Sequence, residues 1–165
     1  MIAARPTALE PVPTTAASMR EFPGDHESVP EVRSWVQREL AKARPGCSAV
    51  PVDVAHLAVL LVSELATNAV RHSDSFRTGG MFAVHLERQA RHVRVAVKDE
   101  GPAEGHLPAM VHLDDDVADS GRGLRIVASM STAHGYHYEP SGTTVYFELD
   151  WTDCDPDHFP VHRAR

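Results

Sequence analysis

Glu64 and Asn68 stand four residues apart in Leu61-Val62-Ser63-Glu64-Leu65-Ala66-Thr67-Asn68-Ala69-Val70-Arg71-His72, so on a helix they lie one above the other on one face. A carboxylate can serve as an acid, a base or an ion-pair partner, and an amide as a hydrogen-bond donor and acceptor. A second carboxylate, Asp99, comes just before Glu100-Gly101-Pro102, which breaks the strand pattern. Farther on, Ser120-Gly121-Arg122-Gly123 leads directly into Leu124-Arg125-Ile126-Val127-Ala128-Ser129-Met130. A glycine-rich segment feeding a helix offers backbone N–H groups and a positive dipole end to an anion. Each feature has a plainer reading by itself: a surface glutamate, a satisfied amide, an Asx-turn aspartate and a tight Gly-x-Gly turn.

The elements that must hold these residues follow from periodicity. Leu57, Ala58, Leu61, Val62, Leu65 and Ala69 form a broad apolar sector of a helix running from Val52 or Asp53 to about His72, while Asp53, His56, Ser63, Thr67 and Arg71 gather opposite. Glu64 and Asn68 fall at the edge of the apolar sector, where an unpartnered polar group costs roughly 1–3 kcal/mol. Something polar is therefore expected to meet them. Before this helix, Ser28-Val29-Pro30-Glu31 predicts a helix start with a Ser cap and a capping-box Glu, followed by Val32, Trp35, Val36 and Leu40 and stopped by Arg44-Pro45-Gly46. Met19–Phe22 predicts a short edge strand. Phe82, Val84 and Leu86, then Val93, Val95 and Val97, predict two neighbouring antiparallel strands, and the alternation puts Asp99 on the valine face. Pro102–Arg122, with Asp114, Asp115, Asp116 and Asp119, reads as a long mobile loop. A third helix follows, and Gly142-Thr143-Thr144-Val145-Tyr146-Phe147-Glu148-Leu149 predicts a last strand.

The chain of 165 residues suits one domain, expected over 18–151 between a disordered leader of about 17 residues and a loosely held tail over 152–165. No secretion or transit signal is apparent at the N-terminus, and no unbroken apolar run suggests a membrane span, so a cytoplasmic location is expected. A net charge of −7 argues against direct binding to nucleic acid. Cys47 and Cys154 are the only cysteines, and free thiols are expected. A zinc site on His134 and His137 lacks a four-ligand set, and the Asp114–Asp116 spacing lacks the Gly and Glu of a calcium loop. Neither a P-loop nor a Gly-x-Ser-x-Gly elbow is present.

The order of features is more specific than any one of them. Phe22-Pro23-Gly24, Glu64-Leu65-Ala66-Thr67-Asn68-Ala69-Val70-Arg71-His72, Asp99-Glu100-Gly101-Pro102 and Gly121-Arg122-Gly123-Leu124 together resemble the Bergerat-fold (GHKL) ATP-binding family of gyrase B, histidine kinases and MutL. More closely, the chain is similar to the branch of serine-protein kinase anti-sigma factors of bacterial partner switching. The resemblance covers roughly residues 18–150. It implies an α/β two-layer sandwich: a mixed, mostly antiparallel sheet with helices on one face. It further implies that Asn68 coordinates Mg²⁺ bridging ATP phosphates, that Asp99 accepts from the adenine amino group with Gly101 and Thr144 completing the base pocket, and that Gly121, Arg122, Gly123 and Leu124 line the cofactor. Glu64 is implied to be the general base. The partners implied are a sigma factor and a STAS-type anti-sigma factor antagonist, with homodimerisation, no direct nucleic acid and no membrane. The alternative is an ATP-sensing regulator that binds a partner with little phosphotransfer. One departure from the branch is Ala133-His134-Gly135, which stands where relatives commonly carry Trp-Gly.

Overall fold

Alternating apolar residues make the strands, and the alternation decides which face of the sheet is covered. The structure, a computed structural model, describes residues 16–72, 79–101 and 122–152. The expected leader up to residue 15, the Ser73–Ser75 turn, the loop from Pro102 to Gly121 and the tail from residue 153 lie outside the described residues. In chain order the elements are β1 (Ala16–Pro23), α1 (Ser28–Ala41), α2 (Val52–His72), β2 (Met81–Gln89), β3 (His92–Asp99), α3 (Arg122–Met130), β4 (Ala133–Glu139) and β5 (Gly142–Asp150). The strands form one five-stranded sheet in the order β1-β2-β3-β5-β4, antiparallel at every pairing. The helices cover one face, giving the two-layer α/β sandwich.

Register fixes that face. Phe22 pairs with Phe82, Val84 with Val97, Leu86 with Val95, Val95 with Phe147 and Val97 with Val145. All of these side chains belong to the buried core, together with Val32, Trp35, Val36 and Leu40 of α1 and Ala58, Leu61, Val62, Leu65, Ala66, Ala69 and Val70 of α2. Phe22 stacks on Phe82 at 5.7 Å between centroids and meets Trp35 edge-on at 6.1 Å, which closes the core beneath α1. By length and composition α2 is apolar enough to span a bilayer. Its apolar stripe is instead the stripe that meets the sheet and the flanking helices, so a core helix accounts for it.

Four local points differ from expectation. Ser28 is already helical rather than a cap, and its N–H donates at 2.8 Å to Oδ1 of Asp25, so the capping carboxylate belongs to Asp25. Glu31 accepts from Arg20 at 3.3 Å instead of turning back to the helix start. β4 was not expected at all. It is an edge strand with no apolar stripe, and its side chains from His134 to Glu139 are mostly exposed, so the hydrophobic alternation that reveals the other strands is missing. β1 begins at Ala16, inside the expected leader. Of its eight residues only Phe22 is buried, so pairing with β2 rather than local pattern defines it.

The corner after α3 has its own geometry. Gly135 faces Tyr146 across the β4–β5 pair, and a Cβ at Gly135 would meet the Tyr146 hydroxyl at 2.7 Å. The Tyr146 ring also stacks on His137 at 5.4 Å and carries the Arg94 guanidinium 3.6 Å from its centroid, on the face away from the helices. Glycine at 135 is thus required by a ring on the open side of the sheet.

Candidate functional site

Asp99 closes β3 directly opposite Thr143, the second residue of β5. Its Oδ1 accepts from the backbone N–H of Gly101 at 2.8 Å and of Thr143 at 3.3 Å. Among the described residues nothing donates to its other oxygen. Burial pushes the Asp99 carboxyl above its ordinary range and the Glu100 charge adds to this, while the two amides pull it down without reversing the rise.

Two glycines make this corner. Gly142 enters β5 at φ +140°, and a Cβ there would drive into the Asp99 carbonyl, only 2.9 Å from its carbon. Gly101 leaves β3 at φ +90°, with the space of its missing Cβ 3.5 Å from the Gly142 Cα. Only glycine adopts such backbone without strain. The result is that the exit of β3 and the entry of β5 close on each other and aim the Asp99 carboxylate over the covered face.

Beside that carboxylate lies a hydroxyl with nothing to bond. Thr143 is 2% exposed, and its Oγ1 is buried without a hydrogen-bond partner. Such an orphan costs roughly 1–3 kcal/mol, which a ligand atom would recover. An acceptor with a free oxygen next to a hydroxyl that can donate or accept is complementary to a flat ring bearing an exocyclic amino group beside a ring nitrogen. Adenine has that edge.

Thr144 does not take part. It pairs with Lys98 and so points to the face of the sheet away from the helices, because successive side chains alternate. The sequence signal for the correct hydroxyl was parity: Asp99 shares a face with Val97, and the residue of the last strand sharing a face with Val145 is Thr143. A second residue missed by sequence reasoning is Tyr138 of β4. It pairs with Thr143, and its phenol is pushed above the ordinary range by burial first, then by Tyr136 and by Asp99. Tyr136 meets Tyr138 edge-on at 5.3 Å, so two aromatic rings border the Asp99 corner.

Glu64 and Asn68 are half-buried on α2, one turn apart. Glu64 does find a neighbour, though not a hydrogen-bonding one: a Cβ added at Gly123 would run into its carboxylate, with the Glu64 Cδ 3.4 Å away. The first turn of α3 therefore lies against Glu64, and a side chain at 123 would push the end of the Glu64 carboxylate aside. Gly121 lies outside the described residues, and so does the side chain of Arg122. Leu124 is corrected. It is 2% exposed and part of the core, so its side chain anchors α3 and cannot line a ligand.

A metal pair on His134 and His137 is ruled out by parity, since the first pairs with Phe147 on the covered face and the second with Thr144 on the other. Among the described residues no three His, Cys, Asp or Glu side chains converge. A divalent cation at this site would rest on the Asn68 oxygen and on oxygens of the ligand, as suits Mg²⁺.

Comparison with known proteins agrees with the architecture. Residues 22–149 match the model of the histidine kinase-like ATPase domain. No curated protein matches the chain. Among solved structures, it is similar to the RsbU and RsbW domains of Rv1364c from Mycobacterium tuberculosis, with TM-score 0.47 and 18% identity, covering 81% of this chain and 32% of that one. It is also similar to the blue-light activated histidine kinase EL346 of Erythrobacter litoralis, with TM-score 0.43 and 24% identity, covering 75% of this chain and 41% of that one. The chain thus spans well under half the length of either.

Proposed function

The chain belongs to the histidine kinase-like ATPase domain family, and from that premise we propose that it is an ATP-dependent serine-protein kinase of the anti-sigma type, acting in the cytoplasm on a STAS-type antagonist and holding a sigma factor when the antagonist is phosphorylated. The observation that carries the nucleotide half is the Asp99–Thr143 corner, an unspent carboxylate oxygen beside a buried hydroxyl without a partner. Asp99 would accept from the adenine amino group, Thr143 would bond the adjacent ring nitrogen, and Gly101 with Gly142 would keep that edge open to the base. Asn68 would hold Mg²⁺, which when bound neutralises phosphate charge. Gly121, Arg122 and Gly123 would lie along the phosphates, by family resemblance.

Transfer of a phosphoryl group asks the protein mainly for positioning and charge stabilisation. Glu64, one turn from Asn68, would take the proton of an incoming serine hydroxyl. A phosphoserine adds about −1.5 to −2 charges to its carrier, and a chain of net charge −7 would then repel it. Homodimerisation is part of the same proposal.

A second reading, an ATP sensor with little turnover, is favoured by the closeness of the Glu64 carboxylate to Gly123 in the first turn of α3, which crowds the proposed base. Labelled ATP and a STAS-type protein separate the two, since only the kinase yields phosphoserine. Glu64→Gln should keep ATP affinity and lose transfer by about 10²-fold or more. Transfer at the wild-type rate in that variant would remove Glu64 from the role of base.

A further inference from the structure

The edge that Asp99 reads is not unique to adenine. Cytosine also presents an exocyclic amino group beside a ring nitrogen. A carboxylate that accepts from such a group therefore separates amino bases from keto bases, and does not by itself select ATP over CTP. The two amino bases differ in area, because adenine carries a second fused ring. A site that prefers ATP needs a surface beside Asp99 to meet that ring.

Such a surface stands on β4. Asp99 pairs with Thr143 and Thr143 with Tyr138, so the three form one row across β3, β5 and β4, and Tyr138 lies two strand spacings, about 10 Å, from Asp99. The neighbouring row on the same face is Val97, Val145 and Tyr136. Its two valines belong to the core, whereas Tyr136 is 38% exposed and Tyr138 is 44% exposed. The covering layer thus ends before β4, and two aromatic rings form a ledge at the rim of the Asp99 corner.

The ledge is open and close to the carboxylate. Tyr136 and Tyr138 meet at an interplanar angle of 77°, and an edge-on partner covers at most one face of a ring. Burial, then Tyr136, then the Asp99 charge raise the Tyr138 phenol, so that phenol is within electrostatic reach of Asp99. Exposed edge strands are ordinarily blunted with charged side chains. Two tyrosines half-open to water on such a strand instead leave ring surface that a flat ligand would bury.

Resting on the ATP-binding reading, we propose that Tyr138 is the residue that selects a purine, its ring stacking on the base whose amino group Asp99 holds. Stacking accepts any base but grows with ring area, so the fused rings of adenine gain more from it than the single ring of cytosine. Asp99 turns away keto bases, Tyr138 favours two rings over one, and only the pair selects ATP.

The test is calorimetry of ATP and of CTP, each with Mg²⁺, on the full chain as wild type, Tyr138→Phe and Tyr138→Ala. Wild type should prefer ATP by about tenfold or more, and Tyr138→Phe, which keeps the ring, should keep that ratio. Tyr138→Ala should weaken ATP about tenfold and CTP by no more than about threefold, so that the preference shrinks to about threefold. A residue with a merely structural role would weaken both nucleotides alike and leave the ratio in place, and that result overturns the proposal. Equal affinity of the wild type for ATP and CTP also overturns it. If Tyr138→Ala does not fold, Tyr138→Leu, which keeps apolar bulk without an aromatic face, should lower the ratio in the same direction, and a wild-type ratio in that variant overturns the proposal. Failure of the underlying reading looks different. A folded wild-type chain that binds neither nucleotide removes the Asp99 site and this proposal together, whereas ATP binding with a ratio indifferent to position 138 removes only the role of Tyr138.

Discussion

Asp99 and Arg88 are charges of opposite sign at opposite ends of one sheet, and the backbone meets them differently. Three carbonyls close around the ends of the Arg88 guanidinium and so tie the 42–48 connection to β2. Asp99 receives only two amides, both on one oxygen, and its neighbour Thr143 keeps a hydroxyl with no partner. Polar capacity consumed by the backbone makes a strut. Polar capacity left over beside a glycine-shaped opening makes a site, and the cost of leaving it over is recovered only when a ligand arrives.

That contrast can be broken most sharply at Asp99. Asp99→Asn keeps an oxygen for the Gly101 and Thr143 amides but turns the free acceptor into a donor, so ATP affinity should fall by about 10²-fold or more, read by calorimetry. Stability should move the other way. The native carboxyl titrates above its unfolded value, so its contribution is fully present below the unfolded pKa and is lost as pH rises through the folded one. Relative to wild type, the Asn variant should therefore gain thermal midpoint as pH increases across that window. A variant that loses stability at neutral pH would make Asp99 a structural residue.

Arg88→Met should behave as the reverse case. Removing the guanidinium strands three carbonyls and should cost roughly 3 kcal/mol of stability by urea denaturation, with ATP affinity in the folded fraction unchanged. The smallest effects sharpen the corner itself. Thr143→Val should weaken ATP binding about tenfold, one lost hydrogen bond, without destabilising the apo chain, while Thr144→Val should change either quantity by less than about 0.5 kcal/mol. The opposite ranking of the two threonines would place the base on the other face of the sheet.

Much of this was legible before any coordinates. The limits of α2 and the valine face of β3 follow from clean periodicity over long segments, and the parity of Asp99 follows from that face. β4 was not legible, because an exposed edge strand carries no buried stripe and is defined by pairing with β5 alone. Thr143 was legible in principle, since alternation from Val145 selects it, but two adjacent threonines look alike until the β3–β5 register puts one opposite Asp99 and the other opposite Lys98. Leu124 was misread because its place in a glycine-rich motif suggested contact with a ligand, whereas its apolar side chain at the start of α3 had a core to enter.

By itself the sequence determined the helices, the three inner strands and the pairing of Glu64 with Asn68, since each depends on spacing along a single element. Tertiary structure alone decided that Gly123 lies against Glu64, that Thr143 is left without a partner, and that Arg88 is sealed by carbonyls from the end of α1 and the connection after it. The reason is physical. Periodicity is a local property of the chain, while the satisfaction of a buried polar atom depends on groups that only the folded molecule brings to it.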